Sequence, residues 1–430
     1  MRMPERPPQL PLILDDKAIK KVVEDKEVFD LVKRYNEEYL HWDELRYHDI
    51  PVNPEIVWAF MKLMRINQAK HLEVSDIKLV YNITNQAQRI IHLLDTGASE
   101  LLVLEEPKHG SRMERYAVSS LMEEAIASSQ LEGAVTTTKV AKRMLREGRK
   151  PRSPSEHMIL NDYQTMQRIK EIKDLPLSTT TILELHRSIA HGLLEDESSA
   201  GRFRTDDETV VADGFEIEKV YHRPPSYQKI PEYMGGLCAF VNADAKDDFQ
   251  HPLVKAVIIH FLIGYLHPFI DGNGRLARAL MYWYALKRDY WLFEYMAISK
   301  VIKQSRGGYA MAYLFAETDD NDVTYFLNYN LNCMEKALTN LKSCILRRQS
   351  EQREVMMLVE AHPQLNQRQA EILKDMVRRK GEATSISEIM SKYNVVHQTA
   401  RTDLLLLSEL GFLEKKKVGK RLYFKVLVRD

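Results

Sequence analysis

Apolar positions recur at helical spacing along most of the chain. Val22, Val23, Phe29, Leu31, Val32, Tyr35 and Tyr39 predict a first helical segment from Asp15 onward. Asn53-Pro54-Glu55 opens the next, with Pro54 in the first turn, where its missing N–H is no loss. It continues through Trp58, Phe60, Leu63 and Met64 towards Arg65. Further helices are expected at about 75–94, 111–131, 138–147, 155–172 and 179–191. Pro252 to Leu266 has helical length and is apolar on every face, so it reads as a core helix; another runs from Leu276 to near Lys287. The pattern switches to strand in two places. Glu208–Ala212 and Phe215–Tyr221 flank Asp213-Gly214, a type I′ hairpin signal, and this is the one hairpin expected in the helical core. Past a long helix at about 324–357, the helices at 365–379, from Thr384 and at 397–410 lead to a second hairpin, Gly411–Lys415 with Arg421–Val426. The fold class is mainly α, in three regions: a helical one over 1–110, a core over 111–345 and a C-terminal domain over 346–430.

Composition narrows this only a little. The 430 residues allow two or three domains, and 61 basic against 61 acidic residues leave no global field for nucleic acid or membrane. Any nucleic-acid surface is therefore local. Three cysteines, Cys238, Cys333 and Cys344, form no Cys-x-x-Cys pair, which fits a reducing cytoplasm. The N-terminus, with four prolines among its first eleven residues, lacks the apolar core of a signal peptide, and no stretch reads as a membrane span.

The chemistry concentrates in His267-Pro268-Phe269-Ile270-Asp271-Gly272-Asn273-Gly274-Arg275-Leu276-Ala277-Arg278, between two helices. Gly272 and Gly274 can take positive φ, and Asn273 tolerates it better than most residues. Amides in such a turn, with the orphan N–H groups and positive dipole of the next helix, make an anion seat. Arg275 and Arg278 would complete it. His267 suits proton abstraction from a hydroxyl, and a carboxylate such as Asp271 beside phosphates suits Mg²⁺. Base, metal ligand, amide nest and two cations describe phosphoryl or nucleotidyl transfer from a nucleoside triphosphate.

This run resembles the full signature of Fic-domain proteins, most of which transfer AMP from ATP onto protein hydroxyls. The related Doc kinases lack the complete Gly-Asn-Gly-Arg pattern, so the match favours nucleotidyl transfer. The resemblance extends to Ser128-Ser129-Gln130-Leu131-Glu132-Gly133, which is similar to the inhibitory motif of the class with an N-terminal inhibitory helix, here about 111–133. It implies that Glu132, with Ser128 in the same motif, pairs with Arg278 and fills the space of the ATP γ-phosphate. It also implies that the hairpin at about 205–223 is the flap, which follows Gly201-Arg202-Phe203-Arg204 and presents a target hydroxyl to His267. Backbone near Val211 would touch nucleotide, and Tyr309 would stand near adenine. ATP and Mg²⁺ are the implied donor system.

Other readings remain beside this one. The C-terminal region resembles a winged helix, in which Lys415, Lys416, Lys417, Lys420 and Arg421 could meet DNA phosphates while His397, Gln398 and Arg401 reach base edges. Many winged helices instead pack against protein. A DNA-binding regulator with a nucleotide-sensing core is thus the alternative to an enzyme. Within the enzyme reading, AMP removal or another nucleotide donor is also open, as are self-modification and a homodimer.

Overall fold

The computed structural model describes residues 2–9, 20, 22–104, 110–212, 220–243, 249–378, 383–418 and 421–427. Two hairpin tips named above, 213–219 and Gly419-Lys420, lie outside the described residues. The protein is mainly α. Its contacts separate Met1–Leu341 from Lys342–Asp430.

In the first unit, α1 (Lys26–Glu38) and α2 (Pro54–Gln68) close on a small core of Val28, Val32, Tyr35, Val57, Trp58 and Met61. Arg65 of α2 is buried beneath the Tyr39 ring and donates to the Tyr325 hydroxyl at 2.9 Å, which joins this region to the rest of the unit. The helix expected at about 75–94 begins later than the sequence suggested. Lys70–Val74 (β1) and Ile77–Tyr81 (β2) form an antiparallel hairpin, and only Asn85–Leu104 (α3) is helical. Alternation decides this segment: Ile77, Leu79 and Tyr81 are buried while Lys78 is exposed, and Ser75 takes the left-handed conformation that the two-residue turn requires.

The helices that carry the chemistry follow. They are α4 (Gly110–Leu131), α5 (Thr138–Glu147), α6 (Pro154–Glu171) and α7 (Thr179–Ala190), then α8 (Ile230–Asn242), α9 (Pro252–Leu266) and α10 (Asn273–Lys287). The α9–α10 pair is the centre of the unit. Twelve of the fifteen α9 residues are buried, as an all-round apolar helix demands. In α10 only Gly274 and Lys287 escape burial. Around the pair stand α11 (Ile298–Gln304), α12 (Arg306–Thr318) and α13 (Thr324–Ala361), the last running on past the division between units. Val211–Ala212 (β3) and Val220–His222 (β4) pair antiparallel as the roots of the second hairpin.

The second unit packs α14 (Gln367–Arg378), α15 (Ile386–Tyr393) and α16 (His397–Glu409) against a three-stranded sheet. Its strands are β5 (Thr384–Ser385), β6 (Leu413–Val418) and β7 (Arg421–Val426), in the order β5-β7-β6. Its own core contains Ile372, Met376, Ile389, Leu404, Leu407 and Phe424. Among the described residues no helix is long and apolar enough to cross a membrane.

Candidate active site

The site is the turn between α9 and α10. His267 ends α9 in the left-handed region, at φ 45, which is unusual for a residue with a side chain. Of the two glycines, only Gly272 has positive φ, at 84. Gly274 does not use the positive φ open to it, because the helix α10 already begins at Asn273. Its missing side chain serves close approach: a Cβ there would collide with the Glu132 carboxylate and lie 3.2 Å from Arg278 Nη1. Asn273 braces the turn, accepting from the Phe269 N–H at 3.0 Å and donating to the Phe269 carbonyl at 2.8 Å.

A residue that sequence reasoning passed over supports the same turn. His186 of α7 stacks on Phe269, with ring centroids 3.7 Å apart. Its Nδ1 accepts from the Gly201 N–H at 3.0 Å, which places the ring proton on Nε2, facing the Asp271 carbonyl at 2.9 Å. Burial pushes its pKa down to about 4, so it holds the loop as a neutral ring. Nothing in the pattern of α7 distinguished His186 from an ordinary buried position.

The two arginines behave differently. Arg275 is fully buried and committed: Nη1 donates to the Ile189 carbonyl at 3.0 Å and Nη2 to Asp271 Oδ2 at 3.1 Å. Arg278 donates from Nε to Ser128 Oγ at 3.0 Å and from Nη2 to the Ser128 carbonyl at 3.0 Å. Nη2 also meets Glu132 Oε1 at 2.9 Å, while Nη1 is buried without a hydrogen-bond partner. Sequence separation between Glu132 and Arg278 is 146 positions; the fold closes it.

Glu132 follows the last residue of α4, and its carboxylate lies across Gly274 at the amino end of α10. Its side chain is 32% exposed against 1% for Arg278. Burial works against the carboxylate's charge, but Arg278 outweighs burial and holds its pKa below the usual range. Burial likewise opposes the Arg278 charge, and Glu132, then Tyr309 and Asp162, reverse that effect. Asp162 lies behind, buried, accepting from Ser129 Oγ at 3.2 Å.

His267 has its ring fixed by Nδ1, which donates to the Gly264 carbonyl at 3.2 Å and leaves Nε2 as the basic nitrogen. Burial pushes its pKa down to about 4. Tyr309 is half-buried on α12, and its hydroxyl meets His260 Nε2 at 2.8 Å. Val211 pairs with His222 at the hairpin root and is half-buried. Among the described residues no three His, Cys, Asp or Glu side chains cluster as a metal cage. Asp271 is 50% exposed with one oxygen on Arg275, which suits a Mg²⁺ shared with substrate phosphates rather than one caged by protein.

Comparison with known proteins places this geometry. Residues 176–285 match the family model "Fic/DOC family". Protein adenylyltransferase Fic of Drosophila willistoni is 29% identical over 170 residues, covering 39% of this chain and 30% of that protein. The Drosophila erecta counterpart is 27% identical over 265 residues, covering 60% and 48%. The chain thus spans less than half the length of these relatives. Two solved structures share the fold. A Fic family protein from Desulfovibrio desulfuricans G20 covers 81% of this chain and 98% of its own, at TM-score 0.51 and 19% identity. Fic-1 from C. elegans covers 78% and 88%, at TM-score 0.52 and 16% identity. Ser128 and Glu132 lie outside the matched segment, whereas the turn and both its arginines lie inside it. The segment similar to the Fic/DOC family, residues 176–285, is thus the one that holds the turn from His267 to Arg278.

Proposed function

We propose that the protein transfers AMP from ATP to a Ser, Thr or Tyr hydroxyl of a target protein, and that Glu132 holds the resting enzyme off. One observation carries this reading: a carboxylate sits on Arg278 and over Gly274, at the amino end of α10, where helix amides and a buried cation favour a phosphate. Arg278 then answers either Glu132 or the γ-phosphate.

In this reading His267 Nε2 takes the proton of the attacking hydroxyl. The oxygen bonds to the α-phosphorus in line, the bond to the bridging oxygen breaks, and pyrophosphate leaves. A neutral imidazole is ready for that proton, and the Nδ1 contact to Gly264 aims the ring. The amides of Gly272, Asn273 and Gly274 face the developing charge. Arg275, with both terminal nitrogens bonded, adds positive charge and holds Asp271. Asp271 would hold Mg²⁺, whose contribution is to neutralise charge on the phosphates. The target segment would add to the hairpin edge at β3–β4, near Val211, with Tyr309 towards the base. Self-modification would use the same geometry.

The test is labelling with ATP carrying a labelled α-phosphate. Glu132→Gly should label protein strongly, and His267→Ala in that background should abolish it. No labelling by Glu132→Gly, across a panel of nucleotide donors and candidate proteins, would sink the transferase reading. A target already carrying AMP tests removal by the unmodified chain.

For the second unit we infer a winged helix able to bind DNA. Lys415, Lys416 and Lys417 are exposed along β6, and His397, Gln398 and Arg401 are exposed on α16. Binding that weakens as salt rises, and that loses slope when the three lysines become alanine, supports this; salt-insensitive binding or none rejects it.

A further inference from the structure

The carbonyls around His267 are held one by one from the hairpin roots. Arg204 stands just before β3 with its side chain 1% exposed. Its N–H donates to the Pro268 carbonyl at 2.9 Å, and its Nε donates to the His267 carbonyl at 3.0 Å. The other end of the guanidinium grips both roots of the hairpin. Nη1 donates to the Asp206 carbonyl at 2.7 Å and to Asp207 Oδ1 at 2.8 Å, and Nη2 donates to the Pro225 carbonyl beyond β4. Asp207 in turn accepts from the Tyr227 N–H at 2.7 Å and from Ser226 Oγ at 3.0 Å, which closes the base of the hairpin. A second strut stands alongside. His222 of β4 meets the Tyr265 carbonyl through Nε2 and Glu317 through Nδ1, each at 2.7 Å.

We propose that Arg204 is a positioning residue for His267: one guanidinium ties both hairpin roots to the strained turn that aims the base, so occupancy of the hairpin is felt at the ring. The argument is one of reach and rigidity. A planar fork with five donors can serve four backbone and side-chain acceptors at once, whereas a lysine cannot. His267 occupies a backbone region it would leave unless its surroundings held it there. None of the partners of Arg204 belongs to the phosphate seat at 271–278, so its loss should act on the base and spare nucleotide binding.

This rests on His267 being the base of the proposed transfer. The test uses the full chain in the Glu132→Gly background, with Arg204→Met and Arg204→Lys. ATP affinity by calorimetry and KM for ATP should stay at the parental value. Turnover should fall roughly 100-fold in Arg204→Met and less in Arg204→Lys, the scale expected for a misplaced catalytic group. A purely structural role would not move the protonation of the base. The Arg204 charge opposes it, so the acid limb should rise above about pH 4 in Arg204→Met and stay in Arg204→Lys. Parental turnover in both variants, a loss carried by KM for ATP, or an unmoved limb in Arg204→Met overturns the proposal. Should Arg204→Met fail to fold, turnover and KM of Arg204→Lys decide. If the Glu132→Gly parent labels nothing, the transferase reading fails. The positional claim is then decided by the His267 Cε1–H NMR signal of Arg204→Lys, in which the charge is kept: a resonance displaced from the parental position upholds it, and an unchanged one overturns it.

Discussion

His267 and Glu132 are both shifted from their ordinary protonation, and for different reasons. Burial disfavours the His267 imidazolium and takes its pKa from an ordinary 6.5 to about 4. The folded value is the lower one, so the base form is present above about pH 5, and folding loses stability as pH falls from 6.5 towards 4. The acid limb of kcat/KM for labelling should therefore sit near pH 4 in Glu132→Gly, which also removes a carboxylate that favours the imidazolium. A limb at 6.5 would contradict this. Glu132 itself is held below the carboxylate range, because Arg278 more than offsets burial. Its pairing is complete above the ordinary 4.5 and is lost only as pH falls through the lowered value. Inhibition of the unmodified chain should then be flat across the neutral range, as a labelling series from pH 6 to 8 would reveal.

The element that matters most is α4, whose end carries both Ser128 and Glu132. It is anchored by a buried carboxylate one turn before Ser128. Glu124 accepts from the Tyr282 hydroxyl at 2.8 Å and the Ser299 N–H at 2.9 Å, and also from the Ser299 hydroxyl. These bonds tie α4 to α10 and α11, and burial raises the Glu124 pKa to about 6. Glu124→Ala strands the Ser299 N–H and hydroxyl in the core, while the Tyr282 hydroxyl keeps the Met296 carbonyl, and should cost roughly 2–4 kcal/mol, measurable by urea unfolding. Because α4 presents Glu132, the same change should raise basal labelling in the otherwise unmodified chain. Glu124→Gln, which keeps two acceptor sites, should do less on both counts.

On the scale of the whole molecule, the turn and every residue placed around it belong to the first unit, and the second has its own core. A fragment ending after Ala361, at the end of α13, should therefore label as fast as the full chain in the Glu132→Gly background. A large loss of rate would assign the second unit a part in catalysis. Removal of residues before β1 should behave oppositely. Arg65 is buried and bonded to Asn36, Leu40 and Tyr325, and truncation removes its bond to the Tyr325 hydroxyl together with the Lys62 bond to Asp319 and the Tyr39 bond to Asp322. The fragment should unfold at a lower temperature than the full chain.

How much of this the sequence alone determined follows from the range of each interaction. The all-apolar α9, the short-range turn chemistry from His267 to Gly272 and the order of helices through 111–191 are properties of neighbouring residues, and pattern sufficed for them. The turn and second strand of the hairpin, at 75–81, were read as the start of a helix because a two-residue turn and five-residue strands leave little periodicity to compare. Gly274 was read as a residue free to take positive φ, whereas its backbone is helical and its bareness makes room for the carboxylate of Glu132, just past the end of α4. Only tertiary structure could decide such matters: which carboxylate meets Arg278, how His186 fixes the Asp271 carbonyl, and how Arg204 joins the hairpin roots to the turn. Each depends on groups far apart in the chain, brought together by burial of the helices that carry them. The residue types of the proposed phosphate seat are written locally; what meets Arg278 there and what holds the turn is set by the packing of the helices and the hairpin roots around it.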